Sequence, residues 1–179
     1  MRGDSAERPG PSAIERLVTD VPNVGTVDWI GRSAERGAPI ESLESARLEA
    51  GTGLAGDHHA TSGRSKRQVT IVQAEHLPVV ASLAGQDEVV PAALRRNVVV
   101  RGINVWALRT LRFRLGGAVL EGTGPCAPCS RMNETIGTGG YHAMRGHGGI
   151  TARVVEAGEV RVGDRGEVLG TAASADAAE

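Results

Sequence analysis

Short apolar runs broken by glycine recur along the chain: VGTVDWI, SARLEA, QVTIV, NVVVRGI, LRFRL, AVLEG, ITARVVEAG, EVRVGD and GEVL. Runs of this length, rich in β-branched residues and closed by turn residues, read as strands. Their density predicts a mainly β fold with a curled, barrel-like sheet and only a few short helices. Helical spacing is confined to three places. AEHLPVVASLAG, after QVTIV, spaces its apolar residues as a short helix does, with Pro78 held to the first turn or kinking it. PAALRR, with Pro91 as an N-terminal signal, predicts another turn or two, and SRMNETI could start a helix at Ser130. No repeat of solenoid period is present.

The two ends lack the pattern. Residues 1–22 are polar and carry Pro9, Pro11 and Pro22, and the end, GTAASADAAE, is small and acidic. Neither is expected to bury much surface, so the expected organisation is a flexible N-terminal segment over 1–22, one domain over 23–170 and a flexible tail over 171–179. A chain of 179 residues is long enough for one domain with a real core.

Composition narrows the function. Twenty Lys plus Arg against 21 Asp plus Glu give a net charge of -1, which favours neither a nucleic-acid nor an anionic-membrane partner. The aromatic residues are Trp29, Trp106, Phe113 and Tyr141, too few for a base-stacking platform. No apolar run reaches the roughly 18 residues a membrane span needs, and the first residues lack the apolar stretch of a secretory signal. The expectation is a soluble, cytoplasmic protein with reduced thiols.

Both cysteines fall in TGPCAPCSRMNETIG, residues 123–137. Counting forward, Cys126, Cys129, His142 and His147 have the spacing of a two-cysteine, two-histidine zinc finger. The finger's small apolar core is missing, since Asn133 and Gly139 occupy its positions. Its helix would also contain Gly137, Gly139, Gly140 and Gly146, each costing about 1 kcal/mol against Ala. A redox pair at a helix start is possible in geometry, but the βαβ pattern that usually accompanies it is absent. The third reading makes one thiolate a soft-metal ligand or nucleophile in a pocket. Pieces of such a pocket are present. GTGLAGDHHATSGRSKRQ combines glycines with His58, His59, Arg64, Lys66 and Arg67, and LRRNVVVRGIN adds Arg95, Arg96, Asn97 and Arg101. His142 and His147 are expected to face solvent.

Three stretches in order resemble the MOSC domain, named for the C-terminal domain of molybdenum cofactor sulfurase: GTGLAGDHHA followed by RQVTIV, then RRNVVVRGINVWAL, then LRFRLGGAVLEGTGPCAPC. GHGGITARVVEAGEVRVGDRGEV is similar to the family's closing strands, so the resemblance covers about residues 23–169. It implies a β-barrel-like fold that binds molybdenum cofactor. It also implies Cys129, after Pro128, as the molybdenum ligand and catalytic thiol, and Lys66, Arg67, Arg96 and Asn97 near the pterin or phosphate. Asp57 and His59 carry over from the first motif, and Cys126 is a possible second thiol. The activity implied is reduction of N-hydroxylated small molecules with electrons from a separate flavin or iron–sulfur reductase. The alternative is a carrier of cofactor, or of sulfur as a persulfide on Cys129, without redox turnover of its own.

Overall fold

The computed structural model describes residue 10, residues 12–60 and residues 65–172. Residues 1–9 and 11 of the N-terminal segment and 173–179 of the tail lie outside the described residues. Eleven strands are present among the described residues: β1 (Gly25–Arg32), β2 (Glu41–Leu43), β3 (Ser45–Glu49), β4 (Gly53–Leu54), β5 (Val69–Gln73), β6 (Val98–Arg101), β7 (Leu111–Leu115), β8 (Ala118–Pro125), β9 (Ile150–Glu156), β10 (Gly158–Arg161) and β11 (Arg165–Thr171). The main sheet runs β11-β7-β8-β9-β5-β6-β1-β2, and β11 also pairs with β1. Seven strands therefore close into a barrel, with β2 sharing an edge of β1 with β11. A smaller sheet, β10-β3-β4, packs beside it. The expected mainly β, barrel-like fold is what the chain forms.

The strands differ in how they are buried, and the sequence pattern follows the difference. In β7, Leu111, Phe113 and Leu115 point into the barrel while Arg112 and Arg114 point outward, which is why LRFRL alternates. β5 and β6 carry apolar residues on both faces, broken by Thr70 and Gln73 in β5 and by Arg101 at the end of β6. They form the parallel pair, with Ile71 opposite Val98 and Val72 opposite Val99. Val69, Ile71, Val98 and Val100 fill the barrel, whereas Val72 and Val99 face outward into a second core with Val80, Leu94, Met132, Ile136 and Met144.

That second core is supplied by short helical pieces: α2 (His76–Ala84), a 3₁₀ turn at Pro91–Leu94, α3 (Met132–Thr135) and α4 (Gly140–Ala143). Pro78 sits in the first turn of α2, where its missing N–H costs no helical bond. Gly85 closes that helix in the left-handed region. One further helix, α1 (Ala13–Thr19), stands where the apolar pattern shows none. Ser12 and Glu15 form a capping box at its start, and none of its residues is buried.

Candidate functional site

The local geometry around residues 56–59 begins with a two-residue strand and a turn. Gly56, at φ +75°, turns the chain so that Asp57 points inward. Asp57 is 7% exposed. Its Oδ2 accepts from the Ser33 backbone N–H at 3.0 Å and from Asn97 Nδ2 at 3.3 Å. Its Oδ1 accepts from the His59 backbone N–H at 3.0 Å and lies 3.2 Å from His59 Nδ1. Burial by itself would raise this carboxyl. Hydrogen bonds from the His59 ring, the Ser33 N–H and the His59 N–H, with the charge of His58, outweigh burial and hold it at about 2.

An ionised carboxylate only accepts, so the proton of neutral His59 sits on Nδ1 and leaves Nε2 open. His58 is held alike: its Nδ1 lies 3.1 Å from the Ser33 carbonyl, also an acceptor only. The two rings stand 3.8 Å apart, centroid to centroid. Among the described residues, Asp57, His58 and His59 are the group of His, Cys, Asp and Glu side chains close enough to share a metal ion. Cys126, Cys129, His142 and His147 are not gathered in this way.

Asn97 continues the wall. Its Oδ1 accepts from both the N–H and the hydroxyl of Thr70, at 3.0 and 2.8 Å, and its Nδ2 donates to Asp57. Arg95, directly after the 3₁₀ turn, has φ +53° and is the sole non-glycine residue with positive φ among the described residues. Its Nη1 donates to the Ala38 carbonyl at 3.2 Å. Burial pushes its guanidinium below the ordinary value, as does Arg131, while Cys129 and Asp57 act in the opposite sense. It remains a cation at any ordinary pH.

Arg96 is buried and works differently. Its Nε donates to Gly148 O at 2.9 Å and its Nη2 to Ala127 O at 3.3 Å, clasping the cysteine loop to the start of β6. The clasp needs close packing of backbone: a Cβ on Gly148 would stand 2.2 Å from Cys126 O, and one on Gly149 would stand 2.0 Å from Ile71 O. Cys126 is buried with its N–H donating to Gly149 O, while Cys129, three residues on, is exposed.

These segments enclose a cleft of about 530 Å³. Of the residues singled out in the sequence, Cys129, Cys126, Arg67, Arg95, Arg96, Asn97, Asp57, His58 and His59 line it. Arg67 reaches Cys126, with Nη2 at 4.0 Å from Sγ. Lys66 is exposed and is not among the lining residues; its carbonyl accepts from the Thr123 hydroxyl at 2.7 Å. Arg101 pairs with Asp28 outside the cleft, and Arg64 lies outside the described residues. His142 is exposed. His147 departs from the solvent-facing expectation. Its backbone N–H donates to Met144 O at 3.0 Å, and its half-buried ring stands edge-on to His76 at the start of α2, centroids 4.9 Å apart.

The structure adds Ser33, Arg36, Thr70 and Arg131 to the lining. Ser33 and Arg36 lie on the polar loop after β1, which carries no motif. Arg131 had a legible signal, two residues beyond Cys129 on the same turn. Among the described residues, the cleft thus presents Arg36, Arg67, Arg95, Arg96 and Arg131 against one acid, Asp57, whose oxygens are already engaged. Such a site is built for an anion beside a thiol.

A family model described as "MOSC domain" matches residues 56–167. Among solved structures, the YuaD protein from Bacillus subtilis superposes with a TM-score of 0.72 at 20% identity, over 83% of this chain and 97% of that one. YiiM from Escherichia coli gives 0.62 at 18% identity, over 83% of this chain and 72% of that one. YiiM from Geobacillus stearothermophilus gives 0.59 at 15% identity, over 83% and 75%. At these identities the likeness is one of fold. No curated protein matches the chain.

Proposed function

The chain belongs to the MOSC domain family, and from that premise we propose that it binds molybdenum cofactor in the Cys129 cleft and reduces N-hydroxylated compounds with electrons from a separate flavin or iron–sulfur reductase. The observation that carries the reading is an exposed thiol opening into a cleft rich in arginine and poor in free acid. The donor set suits the group: a thiolate sulfur ligates a soft metal, and guanidinium forks pair with phosphate. When bound, the cofactor supplies two-electron redox chemistry at its metal. Overall, R–NHOH takes up two electrons and two protons and leaves as R–NH2 and water.

The remaining work falls to the chain. Cys129 Sγ holds the metal, while Arg67, Arg95 and Arg131 neutralise the anionic part of the cofactor. Asn97, with its amide bonded to Thr70 and Asp57, positions the wall and does not reach into the cleft as a free donor. His58 and His59, their Nδ1 atoms engaged, exchange protons with the reacting nitrogen and oxygen through Nε2.

Protein made in a host that synthesises the cofactor is expected to carry near-stoichiometric molybdenum, and Cys129→Ala to lose both the metal and hydroxylamine reduction. Undiminished turnover by that variant would overturn the reading. A second reading, sulfur carriage as a persulfide on Cys129, is favoured by one feature: buried Cys126 and exposed Cys129 line the same cleft. Its signature is the mass of one added sulfur on the cysteine peptide, removed by a thiol reductant, in protein without molybdenum.

A further inference from the structure

Behind the cysteine loop lies a second groove of about 260 Å³. It shares Cys126 and Ala127 with the cleft and is otherwise lined by Trp106, Tyr141, Arg145 and a floor made chiefly of prolines and glycines. We propose that this groove binds a planar aromatic ligand carrying an anionic group, with the ring against Trp106 and Tyr141 and the anion on Arg145. The inference rests on the groove alone and is independent of cofactor binding in the cleft.

The aromatic residues are the first reason. Of the chain's four Trp, Tyr and Phe side chains, Phe113 is buried in the barrel and Trp29 packs against the second core. Trp106 and Tyr141 stay 43% and 38% exposed, and both face this groove. Aromatic surface left in water beside a concavity is what a ring-shaped ligand covers.

Charge is the second reason. The Arg145 side chain has no hydrogen bond or ion pair among the described residues, and no acidic residue lines the groove. Arg109 adds to the positive field. Its guanidinium lies 4.7 Å from the centroid of the Trp106 ring, held there by a bond from its Nη1 to the Trp106 backbone carbonyl at 2.8 Å.

Shape is the third. The floor carries Pro125, Gly146, Gly148 and Gly149. At Gly146 an added Cβ meets nothing within 4 Å, so a flat ring can lie directly over backbone there. The volume falls just below the range of about 300–1,000 Å³ that holds drug-sized molecules, which suits a single substituted ring.

Trp106 reports on the site directly. In Trp29→Phe it is the only tryptophan left, and its emission can be followed during titration with 4-nitrobenzoate, an anionic aromatic quencher, using cofactor-free protein. Saturable quenching is expected, weakened about tenfold in Arg145→Gln, as loss of a charge-assisted pair implies. 4-Nitrobenzamide, which lacks the charge, should be weaker by a similar factor, and Tyr141→Ala should also weaken binding. If Trp29→Phe fails to fold, the difference between wild type and Trp106→Phe supplies the same signal. Quenching that never saturates, or saturable binding indifferent to Arg145→Gln, would overturn the proposal. A Trp106 emission that shifts with protein concentration alone would also overturn it, by giving the groove to a second copy of the chain. Loss of molybdenum binding in Cys129→Ala bears on the cleft only and leaves this titration unaffected.

Discussion

Asp57 is a buried carboxylate stabilised by its neighbours, and its energetics have a definite sign. Its pKa lies below the ordinary 3.8, at about 2. The stabilisation is therefore fully present above pH 3.8 and is lost as pH falls toward 2. With allowance for solvent screening at the cleft wall it amounts to about 1–2 kcal/mol. Asp57→Asn should lower stability by that much at pH 7, measured by urea unfolding, and the difference from wild type should shrink as unfolding is followed from pH 4 toward pH 2. The contacts of Asp57 with Ser33 and Asn97 come from residues 24 positions before and 40 after it. Its place in GLAGDHHA was legible in the sequence; that non-local lattice was not.

The cysteine loop is an element held by one buried side chain. Arg96 donates to the carbonyls of Gly148 and Ala127 and so joins β6, the cysteine loop and the entry to β9. Arg96→Gln removes both bonds, each worth about 1 kcal/mol, and should raise the alkylation rate of buried Cys126 roughly tenfold or more while exposed Cys129 reacts as before. Peptide mass mapping after timed labelling distinguishes the two thiols. Gly149→Ala tests the packing beneath the loop. An added Cβ would meet Ile71 O at 2.0 Å at φ +77°, so a loss of at least about 2 kcal/mol is expected, read as a fall in Tm. Strand identity was readable at this scale because the barrel strands are short runs rich in β-branched and other apolar residues, closed by glycine or polar residues. The short β2 and β4, the 3₁₀ turn Val105–Thr110 and α4 were not, since each is too short to show a period and owes its shape to neighbours. Arg96 was chosen from the sequence for cofactor contact, and the structure gives it a clasp.

Across the whole molecule, stability should be uneven around the barrel. β5 and β6 are covered on both faces by apolar side chains, whereas β1 meets β11 through only two residue pairs, Gly25–Gly166 and Thr26–Arg165. Amide hydrogen exchange should be slowest in β5 and β6 and fastest, among barrel strands, along the β1–β11 seam. Equal protection at both places would contradict this picture. The one-domain barrel was legible because so many short apolar runs leave little else for the chain to form. The closure of β1 on β11 was not, because pairing between residues about 140 positions apart leaves no trace in local periodicity.

The cleft and the aromatic groove share Cys126 and Ala127 in their linings, and Arg96 braces Ala127 through its carbonyl. These shared residues are the route by which occupation of one chamber can reach the other. Any molecule on the groove side that shifts them changes the affinity of the cleft for its own occupant, and linkage requires the cleft's occupant to change the groove's affinity by the same factor. A binding constant measured on either side with the other empty is therefore one of a pair, and the ratio between filled and empty states measures how stiffly Arg96 holds the shared stretch.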